Sequence, residues 1–103
     1  IDVVYAHNDP MAIGAFIAAR DAGREKAMIF VGVDGLGGAD GGIKKVMDGV
    51  LACTFIYPPC ASEALDFAAT ILRGGAVPER VILESAIVSP ENAAEQYGKA
   101  TVE

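Results

Sequence analysis

The chain has 103 residues, which suits one small domain or a piece of one. Its formal net charge of −6, with eight scattered Lys and Arg, speaks against a nucleic-acid surface in this segment. Apolar residues make up 52%, ample for a core, yet no apolar run approaches the ~20 residues of a membrane span.

The first apolar run predicts a strand over 2–6, joined almost directly to a helix over 9–22. Asp9-Pro10 is a strong helix-start signal. Asp accepts from an orphan N–H of the first turn, and Pro at the first helical position loses nothing by lacking its own N–H. His7 and Asn8 are left at the carboxyl end of the strand, where open α/β sheets bind ligands. Within the helix Ile13, Phe16 and Ile17 form one stripe, and Ala12, Ala15, Ala18, Ala19 and Ala22 beside it are small enough to let the helix lie close to a sheet. Gly23 is a natural left-handed cap. The chain starts without Met, inside a strand, with no signal peptide, and reads as a fragment of a longer chain.

Residues 27–33 show no polar alternation, which predicts a strand buried on both faces, as in a parallel sheet. It ends in Asp34-Gly35, and a glycine-rich loop runs on to Gly42. Asp40 suits the N-cap of a short helix over 41–48. A strand over 51–56 then ends in Tyr57-Pro58-Pro59. The next helix, 60–72, carries the stripe Ala61, Ala64, Leu65, Ala68 and Leu72 and stops at Gly74-Gly75. Residues 80–88 are extended and apolar, and Ser89-Pro90 opens a short helix over 91–97. Strand and helix alternate throughout, the α/β pattern with a parallel sheet.

In such a sheet the ends at Asn8-Asp9, Asp34-Gly35 and Tyr57-Pro58 share one edge. They bring together an amide that donates and accepts, carboxylates that only accept, and a phenol with an apolar face. That set suits a neutral polyhydroxyl ligand, a sugar or polyol. It lacks the Arg or Lys that a phosphate or carboxylate ligand needs. Asp9 and His7 belong to the same edge, Asp9 with a helix-capping alternative and His7 with a structural loop role. Enzymatic chemistry has little support: no Ser or Cys stands beside a His as a nucleophile, and the glycine loop lacks the Gly-Lys-Ser/Thr ending of a phosphate loop. No cofactor or metal is expected, since one His and two Cys seven apart do not make a usual zinc site. A Cys53–Cys60 disulfide stays open at this point.

Four stretches carry a family likeness. Residues 4–15 (VYAHNDPMAIGA) resemble the second-lobe signature of ribose/galactose-type periplasmic sugar-binding proteins. Phe30-Val31-Gly32-Val33-Asp34-Gly35, then residues 48–54, then Val88-Ser89-Pro90-Glu91-Asn92 resemble the segments that follow, in the same order. The effector domains of LacI-type repressors share this fold and much of the pattern. The resemblance implies a parallel-sheet, three-layer, Rossmann-like lobe of the type I periplasmic binding fold. It implies a two-lobed protein, in the periplasm or lipid-anchored outside the cell, that hands a sugar to an ABC permease without chemistry. Asn8 and Asp34 match the family's ligand-contacting residues, and Tyr57 stands where an amide side chain is usual. The family's topology places 1–57 in the carboxyl-terminal lobe, 58–80 across the hinge with a helix in the other lobe, and 81–103 on the return strand and tail. Alone, such a chain is expected to bind sugar weakly or to complete its sheet with another copy.

Overall fold

The computed structural model describes residues 1–100. Short strands and amphipathic helices alternate: β1 (Val3–Tyr5), α1 (Asp9–Asp21), a 3-10 turn (Glu25–Ala27), β2 (Ile29–Val31), α2 (Gly42–Met47), β3 (Thr54–Ile56), α3 (Ala61–Leu72), β4 (Ala86–Val88) and α4 (Ala93–Ala100). β1 and β2 are parallel, with Val4 opposite Phe30. Parallel bridges from Val31 to Cys53 and from Asp34 to Ile56 carry the pairing on to β3. The spatial order is therefore β1-β2-β3-β4.

The last pairing departs from the parallel sheet read in the sequence. β4 runs antiparallel to β3, with Thr54 opposite Val88 and Ile56 opposite Ala86. The chain leaves the sheet after Ile56 and re-enters it at Ala86 from the same edge, so the fourth strand has to run backward. α4 follows as Ala93–Ala100, later than the sequence suggested. The Asn92 carboxamide delays it, accepting the Ser89 N–H at 2.8 Å and donating to the Ile87 carbonyl at 2.9 Å.

One face of the sheet is covered. α1 packs on β1, β2 and α2, and α4 packs on α2. Ala6, Ala12, Phe30, Ile43, Val46, Leu51, Val88 and Ala93 are buried between these layers. The close approach of α1 rests on Ala12 and Ala19, the small residues picked out in the sequence, and Phe16 meets Phe30 edge-on at 5.4 Å. The opposite face is bare: Val3, Tyr5, Ile29, Phe55 and Ile87 share it by register and are all exposed. Residues 27–33 are thus not enclosed on both sides, since Phe30 is buried while Ile29 is 52% exposed. Side chains alternate across a strand, and within the described residues only one face has a helical layer.

Between β3 and β4 the chain forms an arm. α3 buries no residue, and Leu65, Leu72 and Ile82 lie open. Val81 and Leu83 run back beside α3 and share a groove with Cys60 and Phe67. The chain extends over 60 × 27 × 19 Å, and its radius of gyration of 17.3 Å exceeds the roughly 13 Å of a compact chain this long.

Candidate functional site at the strand tips

The helix start is decided by two neighbouring residues with different tasks. Asn8, extended at φ −152° and ψ 167°, is the N-cap, and its Oδ1 accepts the Met11 N–H at 2.9 Å. Asp9 therefore does not cap the helix, as the sequence suggested; it is the first helical residue, followed by Pro10. Its side chain turns inward and is 0% exposed. Oδ1 accepts the Thr54 hydroxyl at 2.5 Å and Oδ2 accepts the Leu36 N–H at 2.8 Å. Thr54 in turn accepts the Gly35 N–H at 3.2 Å.

Two glycines make room for this carboxylate. A Cβ at Gly32 would stand 2.3 Å from Asp9 Oδ1, and one at Gly42 2.0 Å from Oδ2. Burial pushes the Asp9 carboxyl above its ordinary value; the Thr54 and Leu36 hydrogen bonds oppose that, and the nearby Asp34 charge adds to it. Asp9 thus has no surface to offer a ligand. It ties α1 to the 34–36 turn and to β3.

Asp34 is half-buried at the end of the β2 segment, with its backbone at φ 107°, in the region that side-chain-bearing residues rarely adopt. The Asp34 N–H donates to the Phe55 carbonyl at 2.9 Å, and the Ala6 N–H donates to the Val31 carbonyl at 3.0 Å. These bonds bring the tips at 7–8, 34 and 57 out of the sheet along one edge. The exposed Tyr57 phenol stands near Asp34, whose carboxylate holds it above its ordinary value. His7 is exposed beside Tyr5, the ring centroids 5.7 Å apart.

Asp34 and Tyr57 line an open cleft of about 490 Å³ together with Leu36, Pro58, Gln96 and Lys99. Asn8 and His7 lie outside that lining, on the β1 side of Asp34. Asn8 is half-buried, and the cap leaves its amide N–H groups uncommitted among the described residues. Reading the sequence missed Thr54, Gln96 and Lys99, because each reaches the edge through tertiary packing with no local motif. Both cysteines are free thiols, Cys53 half-buried and Cys60 exposed. Among the described residues no cluster of His, Cys, Asp and Glu has the make-up of a metal site.

The chain is 35% identical over 105 residues to the galactofuranose-binding protein YtfQ of Escherichia coli K12, an alignment that takes in 96% of this chain and 31% of the relative. The fructose-binding periplasmic domain of a hybrid two-component system superposes on 99% of the chain, and 34% of its own, with a TM-score of 0.91 and 45% identity. The chain belongs to the family of periplasmic sugar-binding proteins. A further relative is the ribose import binding protein RbsB of Haemophilus influenzae, 32% identical over 86% of this chain and 30% of its own. The crystal structure of a galactofuranose-binding protein matches with a TM-score of 0.84 and 30% identity, over 99% of this chain and 34% of that one. No protein-family model matches. The chain spans about a third of the length of the family members it resembles.

Proposed function

We propose that this chain is part of a protein that binds a neutral sugar or polyol between two lobes and delivers it to an ABC permease, with no bond made or broken. The observation that carries the reading is the meeting of Asp34 and Tyr57 in an open cleft at the strand-tip edge, with Asn8 on the same edge, in a chain related to sugar-binding proteins. In this reading Asp34 accepts hydroxyls, Asn8 donates, and Tyr57 offers a ring face and steadies Asp34. Asp9 serves from behind, and His7 stands at the margin.

Residues 1–57 then form the carboxyl-terminal lobe, 58–80 cross the hinge with a helix that packs in the other lobe, and 81–103 return. The helix α3 supports that division, since among the described residues it buries no side chain and leaves Leu65, Ile71 and Leu72 exposed. Uncovered sheet and helix faces also support self-association of the chain when isolated. Ligand bridging two lobes favours the closed state because only that state makes both sets of contacts. The place of action is the periplasm or the cell exterior.

Relatives that carry sugar-binding names favour this reading over a LacI-type repressor. A second reading, the input domain of a sensor, draws on the 45% identity to the fructose-binding domain of a two-component system. Calorimetry on the full-length protein with a sugar and polyol panel tests the binding claim. Asp34→Ala is expected to weaken binding at least tenfold and His7→Ala less than threefold, in line with loss of charge-assisted bonds worth ~1.5–3 kcal/mol. The reverse ranking, or no binding by the intact protein, would overturn it.

A further inference from the structure

We infer that Gln96, on the last helix, is a ligand contact and a determinant of specificity at the strand-tip cleft. The inference rests on the sugar-binding reading of that cleft and adds a wall to it. Direction is the first observation. β4 runs opposite to its neighbours, so the helix that follows it runs back toward the edge where β1, β2 and β3 end. The carboxyl-terminal turn of α4 arrives beside the loop after Asp34: a Cβ at Gly37 would stand 3.0 Å from Ala100 Cβ. A parallel fourth strand would have sent its helix the other way.

The second observation is what that turn presents. Gln96 and Lys99 line the cleft with Asp34 and Tyr57. Lys99 is committed, its Nζ on Glu95 Oε1 at 2.6 Å, and the pair leaves no net charge to draw an anionic guest. Gln96 is half-buried, and its carboxamide makes no hydrogen bond among the described residues. A carboxamide both donates and accepts. Asp34 only accepts, and its charge beside Tyr57 favours the protonated phenol. Gln96 therefore supplies a two-way carboxamide at this cleft.

The test uses the full-length protein and calorimetry with D-fructose, D-ribose and myo-inositol, plus the monodeoxy analogues of whichever binds. Gln96→Ala is expected to lose about tenfold in affinity, the worth of one hydrogen bond, with the melting temperature unchanged. One deoxy analogue should bind the wild type about tenfold more weakly than its parent, yet bind Gln96→Ala no more weakly than the parent does. Gln96→Glu, which keeps the acceptor and loses the donor, should change the ranking of the analogues. Wild-type affinity in Gln96→Ala while Asp34→Ala fails to bind would overturn this inference and leave the sugar-binding reading standing. Equal loss across all analogues with a lowered melting temperature would make Gln96 structural and overturn it too. No binding of any probe by the wild type would overturn both.

Discussion

Thr54 donates its hydroxyl to Asp9 Oδ1 at 2.5 Å, across 45 residues of chain. The bond joins the start of the first helix to the third strand, and Leu36 completes it from the intervening loop. Removing either partner strands a buried polar group, at a cost of about 1–3 kcal/mol for each group left unsatisfied. Asp9→Ala and Thr54→Val are each expected to lower the urea midpoint, and the double variant to lose less than the sum of the two. Additive losses would show that the contact is not made.

The same carboxyl gives a pH signature. Its folded value is raised above 3.8, chiefly by burial. The stability tied to this proton is then full below 3.8 and lost as pH rises through the raised folded value. Wild type should therefore gain on Asp9→Asn as pH falls from neutrality toward about 4. Urea titrations of both proteins at several pH values read the difference directly, and a flat difference would refute the assignment.

Two glycines in helices should respond oppositely to Ala. Nothing lies within 4 Å of a Cβ placed at Gly14, so Gly14→Ala should gain about 0.5–1 kcal/mol from backbone entropy. At Gly42 the added methyl would stand 2.0 Å from Asp9 Oδ2, and the clash should outweigh the same helical gain. Thermal melts of the two variants should move in opposite directions.

Asp34 keeps a backbone conformation that side chains resist, at a cost of order 1 kcal/mol or more. Asp34→Gly should leave the melting temperature equal or higher while abolishing sugar binding by the full-length protein. Ultraviolet titration adds a check: the Tyr57 phenol should titrate lower in Asp34→Asn, because the carboxylate that opposes its ionisation is gone.

Thiol labelling reports on the arm. Cys60 is exposed and should react with Ellman's reagent at once. Cys53 should lag, because partial burial raises its thiol. Two thiols should titrate without reductant, and a count near zero would mean that they pair.

Local signals reached as far as local causes do. The Asp-Pro start, the Gly23 stop and the apolar runs located β1, α1, β2 and α3 within a few residues. The exchange of roles between Asn8 and Asp9 was not legible, because both residues cap helices well. The choice is made by Thr54 and Leu36, far away in sequence. The bareness of Ile29 depends on which layers surround the strand, and an unbroken apolar run says nothing about that. The direction of β4 depends on the route taken by the arm. Gln96 could not be placed at the edge until that direction was known.

The capping bond at Asn8 gives the edge a polarity. Its carbonyl oxygen already accepts from Met11 while its N–H groups stay open, so in the proposed site it would act toward a guest mainly as a giver, with Asp34 as a taker. A sugar seated there would be read for the sense of its hydroxyls as well as their positions. Methylating the oxygen that meets Asn8 would leave its lone pairs in place and be forgiven, provided there is space. Methylating the one that meets Asp34 would remove the only proton on offer and be refused.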